Sequence, residues 1–121
     1  MSDAWASYPG APEPGSSLCD LKDIPDPGTY SVNLGEFSVL IARKGDAVWA
    51  YVNACPHQYL PLDWRKEDVL SADGSRLICS NHEASFDLET GEGVSGFAQG
   101  CELDVVPVTT TTSGSVTIAN R

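Results

Sequence analysis

A chain of 121 residues with 41% hydrophobic side chains has room for one domain with a modest core. Seven basic residues stand against seventeen acidic ones, a formal net charge of −10, which argues against nucleic acid and anionic membrane surfaces as partners. The longest uninterrupted apolar run, Ala47–Val52, is too short to span a bilayer, and Met1–Ser17 lacks the pattern of a secretory signal, so a cytoplasmic protein is expected. In that setting the four cysteines are not read as a disulfide framework. The acidity serves solubility, or it steers brief docking onto a basic partner.

Residues 1–17 hold Pro9, Gly10, Pro12, Pro14 and Gly15 among small polar side chains, which reads as a flexible N-terminal arm. Trp5 and Tyr8 are its two groups able to dock on the domain. The domain itself is expected over 18–121. Ile24-Pro25-Asp26-Pro27-Gly28 is a turn, and Thr29–Asn33 a short strand. Phe37, Val39 and Ile41 alternate with Ser38, Leu40 and Ala42, as in a strand with one face buried more deeply. Lys44-Gly45-Asp46 turns the chain into a buried strand, Ala47–Val52, completing a hairpin. A short helical turn is expected around Asp63–Val69. Further short strands are expected at Arg76–Cys79, Ala84–Asp87, Leu103–Val108 and Ser115–Ala119, with Ser113-Gly114 turning the last pair. With eleven glycines, eight prolines and no long amphipathic helix, the fold class is all-β.

Two segments concentrate the chemistry: Cys55-Pro56-His57 after the strand Ala47–Val52, and Cys79-Ser80-Asn81-His82 after the strand Arg76–Cys79. They contain both histidines of the chain, each within three residues of a cysteine. Thiolate and imidazole are the side chains best suited to zinc and iron. One sulfur and one nitrogen on each of two loops can close over a metal centre from both sides. A tetrahedral zinc is one reading, although zinc sites more often use C-x2-C or H-x3-5-H pairs. Cys19 and Cys101 are far from both segments and are read, with the three tryptophans, as packing residues.

The C-x-H pair followed by a C-x2-H pair resembles the Rieske family. The resemblance runs from about Leu18 to Ala119 and takes in Leu18–Pro25, Asn53-Ala54-Cys55-Pro56-His57-Gln58, Pro61-Leu62, Phe86-Asp87, Thr90-Gly91, Gly96 and Leu103. It implies a Rieske-like fold: an antiparallel β-sandwich base with a small cluster-binding subdomain, about residues 54–98, formed by two loops. It implies one Rieske-type [2Fe–2S] cluster, with Cys55 and Cys79 on the inner iron and His57 and His82 on the outer. The sequence departs from the family pattern at Tyr59 and Glu83, where Gly is common, and at Gly96-Phe97-Ala98, where Gly-Pro-Ala is common. No departure removes a ligand. Tyr59, Leu60, Glu83 and Phe97 are the candidate docking residues around the histidines.

The implied ligand set suits one-electron transfer. Two ferric ions, two sulfides and two thiolates sum to zero with neutral imidazoles, whereas an all-thiolate site starts more negative and accepts an electron less readily. By resemblance the chain is a free-standing ferredoxin without catalysis of its own. It would pass electrons from a flavin-containing reductase to a terminal oxygenase, either a Rieske ring hydroxylase or a di-iron monooxygenase. The alternatives are a small Rieske-like subunit of a nitrite-reductase type complex and, from another class, a zinc-stabilised interaction module.

Overall fold

Three short antiparallel sheets, stacked in layers, account for the regular structure of the computed structural model, which describes residues 5, 8, 10–35, 37–54, 69–71, 73–78, 84–96 and 102–119. The strands are β1 (Ser17–Asp20), β2 (Gly28–Leu34), β3 (Phe37–Lys44), β4 (Ala47–Val52), β5 (Arg76–Ile78), β6 (Ala84–Asp87), β7 (Gly93–Gly96), β8 (Val108–Thr110) and β9 (Ser115–Ile118). The sheets run in the orders β1-β9-β8, β2-β3-β4 and β5-β6-β7, every pairing antiparallel. A 3-10 turn, Leu21–Asp23, follows β1. Among the described residues no helix is long and apolar enough to cross a membrane.

The sheet β2-β3-β4 is the middle layer. From β3, Phe37, Val39 and Ile41 enter one apolar cluster with Ala50 and Val52 of β4 and Val116 and Ile118 of β9. Leu40 and Ala42 enter the other, with Tyr51 of β4, Leu77 of β5 and Phe86 of β6. Both faces of β3 are therefore buried from Val39 to Ala42, which corrects the expectation of one deeper face: sheets cover it on both sides. The first cluster unites the two sheets of the base, and the second attaches the small sheet β5-β6-β7 to that base.

Local chemistry sets the joints. Lys44 pairs with Ala47, so Gly45 and Asp46 form a two-residue turn, with Gly45 at φ +64°. Arg43 pins the 3-10 turn to β3: Nη1 donates to the carbonyls of Leu21 (3.2 Å) and Ile24 (3.1 Å), and Nε to that of Gly45 (2.8 Å). The strand expected at Leu103–Val108 is divided instead. Val105 bridges Tyr51, Val52 N–H donates to Asp104 O and Val106 N–H to Ala50 O, so this stretch follows β4. Pro107 has no N–H to continue that ladder, and from Val108 the chain pairs with β9. The helical turn expected around Asp63–Val69 lies, apart from Val69, outside the described residues.

Where composition suggests a loose arm, two aromatic side chains meet the base. Trp5 is 1% exposed within the first cluster, and Tyr8 stacks edge-on against Phe37 with centroids 6.1 Å apart. Burying the indole removes apolar area from water and so opposes part of the entropy cost of ordering the arm. The Trp5 Nε1 has no hydrogen-bond partner among the described residues.

Candidate metal centre

The four residues singled out by type and spacing, Cys55, His57, Cys79 and His82, lie outside the described residues, as do Tyr59, Leu60, Glu83, Phe97 and Cys101. What the structure establishes is how the backbone on either side of the two segments is held. β4 leads through Asn53 and Ala54 to the first segment. Asn53 is 5% exposed; its N–H donates to Ser38 O (2.9 Å) and its Nδ2 to Ser38 Oγ (3.2 Å). One residue earlier, Val52 N–H donates to Asp104 O (2.9 Å). The exit of β4 is thus fixed to β3 on one side and to the 103–106 stretch on the other. A buried amide with both kinds of donor satisfied resists displacement, because moving it strands polar groups away from water.

The chain returns at Val69, whose N–H donates to Thr29 Oγ1 (3.1 Å), a buried side chain of β2. Val69 O then accepts from Ile78 N–H (2.8 Å), and Leu70 bridges Leu77. The end of the first connection is therefore paired with the strand that enters the second segment. Residues 79–83 join β5 to β6, whose pairing reaches Ile78 opposite Ser85; β7 lies alongside, with Ala84 opposite Gly96. Both Cys/His segments accordingly leave from, and return to, one hydrogen-bonded framework. The donor set is two thiols and two imidazoles, one of each per segment, which fits a binuclear iron–sulfur centre with two sulfur-bound and two nitrogen-bound positions.

Beneath the small sheet stands Tyr51. Its hydroxyl, buried, donates to Leu88 O (2.7 Å). Burial first, then the carboxylates of Asp87 and Glu89, push its ionisation well above that of an ordinary phenol. Gly91 lies against the same ring: at φ +77°, a Cβ there would sit 2.8 Å from Tyr51 Cε1. Asn53, Ser38, Thr29, Tyr51 and Asp104 are the supports that sequence reasoning missed. Asn53 alone carried a signal, as an amide between an apolar strand and a cysteine.

Cys19 lies on β1, away from this framework, as a half-buried free thiol. Burial, helped by Asp23 and Asp20, pushes its pKa up to about 11. At pH 8 iodoacetamide should alkylate it about a hundredfold more slowly than an unperturbed cysteine, because only the thiolate reacts. Mass-spectrometric mapping of the Cys19 peptide over time measures this. Labelling at the free-thiol rate would contradict the burial.

An all-β chain with two Cys/His segments on one framework defines a small iron–sulfur domain. Residues 16–110 match the sequence profile described as the Rieske [2Fe-2S] domain. The chain belongs to that family, and its cofactor is a Rieske-type [2Fe–2S] cluster. Among curated proteins it is 35% identical over 77 residues to the ferredoxin component of the alkene monooxygenase system of Xanthobacter autotrophicus strain Py2. That stretch covers 64% of this chain and 60% of the relative's length. Among solved structures, the ferredoxin of carbazole 1,9a-dioxygenase from Nocardioides aromaticivorans IC177 superimposes with a TM-score of 0.74 at 19% identity, covering 90% of this chain and all of that one. A chain from the complex of reduced oxygenase and oxidised ferredoxin in carbazole 1,9a-dioxygenase gives 0.69 at 25% identity, covering 85% and 90%. These likenesses agree with the all-β fold and the layered sheets described above.

Proposed function

We propose that this chain is a low-potential one-electron carrier, its cluster held by Cys55 and Cys79 on one iron and His57 and His82 on the other. Bound, the cluster supplies reversible acceptance of a single electron. Residues 18–121 form the carrier domain, with the cluster-binding part at about 54–98 and residues 1–17 as the arm. It receives electrons from a flavin-containing reductase and delivers them to a terminal oxygenase, and it works in the cytoplasm. The observation that carries this reading is the 35% identity to the ferredoxin component of an alkene monooxygenase system, joined to an intact set of two cysteines and two histidines. The known complex of a similar ferredoxin with its oxygenase supports delivery by direct docking.

The low potential follows from what surrounds the ligands in sequence. High-potential relatives carry a disulfide between the ligand loops and two hydroxyls that hydrogen-bond the cluster sulfurs. The matching positions here are Leu60, Asn81, Ala84 and Phe86, which supply neither. Phe86 is 1% exposed and packs in the apolar cluster below. Hydrogen bonds to sulfur stabilise the reduced site, so their lack lowers the potential. Glu83, next to His82, adds a carboxylate worth roughly 1 kcal/mol against reduction, some tens of millivolts. Voltammetry at pH 7 should place the midpoint near the low end of the roughly −150 to +300 mV span of Rieske centres. Glu83→Gln should raise it by tens of millivolts. A wild-type midpoint well above zero would overturn the oxygenase-ferredoxin reading.

A further inference from the structure

The N-terminal arm reaches the root of the first ligand segment from two directions. Tyr8 OH donates to Asp104 Oδ2 at 2.6 Å, joining residues 96 positions apart. The backbone carbonyl of the same Asp104 accepts Val52 N–H at 2.9 Å, three residues before Cys55. The Tyr8 ring also lies edge-on to Phe37 at an interplanar angle of 85°. Phe37 precedes Ser38, whose carbonyl and hydroxyl oxygens both accept from Asn53. Thus the two supports of the Val52–Asn53 exit, Asp104 and the start of β3, each meet the same tyrosine. Trp5, three residues earlier and 1% exposed, moors the arm in the core beneath. Both aromatic residues lie outside the span 16–110 that matches the family profile.

We propose that Tyr8 is a positioning residue for the metal centre: through Asp104 and Phe37 it holds the end of β4, and with it the segment that carries Cys55 and His57. The hydroxyl is the part that matters, because it donates to a carboxylate, and hydrogen bonds to charged groups are the stronger kind. Removing it frees Asp104 to shift and slackens the Val52 amide that depends on it. The ring and Trp5 keep the arm in place, so the effect stays local.

The proposal rests on Cys55 and His57 being ligands, and the test separates the two claims. Tyr8→Phe is made in the full chain with its cluster. Amide hydrogen exchange at Val52 should quicken about tenfold, the loss expected for one such hydrogen bond, while Ile41 and Ala42 of β3 stay protected. Cluster release into a chelator, followed by bleaching, should quicken by a similar factor, and the g-values of the reduced protein should move. Val116→Ala, a core change in the same cluster but on β9, a strand that does not pair with β4, serves as a control for general destabilisation. Unaltered exchange at Val52 would overturn the strap itself. Faster exchange with g-values unmoved, and release no faster than in the control, would reduce Tyr8 to a structural contact and overturn its positioning role. Wild-type protein that binds no cluster would instead refute the ligand assignment.

Discussion

Single replacement of Cys55, His57, Cys79 or His82 by Ala is expected to give colourless protein that has lost its iron and unfolds at markedly lower temperature. By the proposed assignment the ligands lie on two connections, 55–68 and 79–83, whose flanking residues Val69 and Ile78 share a hydrogen bond. A cluster bound by both connections would tie them to each other. Because cluster binding and ordering of the connections share one free energy, the loss should exceed the roughly 1 kcal/mol of an average substitution. Iron and acid-labile sulfide analysis with a thermal melt measures both effects. Full iron content in any of the four variants would remove that residue from the ligand set. The two Cys→Ser variants refine the result, since an alkoxide or hydroxyl oxygen is a poorer iron ligand than thiolate in a site of this kind.

The second large effect is expected at Tyr51, the joint between the base and the small sheet. Tyr51→Ala should cost about 4 kcal/mol, the range for emptying an aromatic site in a core. Total stabilities of such domains lie at about 5–15 kcal/mol, so much of the fold's margin rests on this ring. Tyr51→Phe should cost about 1–2 kcal/mol, because it leaves the buried Leu88 carbonyl without its 2.7 Å donor. Denaturant unfolding of the cluster-loaded protein gives both values. In Tyr51→Ala, cluster release should quicken as well, since Leu77 and Phe86 of the strands flanking residues 79–83 pack against the same ring. A near-neutral Tyr51→Ala would show that the small sheet stands without this joint.

The fold was legible where local signals agree. The hairpin β3–β4 has alternating β-branched residues, a glycine turn and a second apolar run, and its observed bounds match the expected ones closely. β6 falls on Ala84–Asp87 as read from the sequence. β7, Gly93–Gly96, was not legible, because glycine at both ends has poor strand propensity and only pairing with β6 makes it a strand. β1 was missed for a similar reason, being four residues paired with the last strand of the chain. The two-sided burial of β3 could not be read from alternation, which reports a difference between faces and not what covers each of them.

The candidate site divides in the same way. Its metal-binding residue types stood out because cysteine and histidine are scarce in this chain and fall together. Its supports did not, because they meet across long separations: Asn53 with Ser38, Val69 with Thr29, Tyr8 with Asp104. No spacing in the sequence marks Ser, Thr or Asp as one half of such a pair. The docking of Trp5 and Tyr8 was open in the sequence, and it is burial in the first cluster that distinguishes a moored arm from a loose one.

The proposed carrier requires one [2Fe–2S] cluster between two thiolates and two imidazoles. Pulsed electron paramagnetic resonance of the reduced protein, purified without air and analysed for metal and sulfide, tests it most directly. Expected are two irons and two sulfides per chain, a low average g, and couplings from two histidine nitrogens. One zinc with no sulfide, or a reduced cluster free of nitrogen couplings, would contradict it.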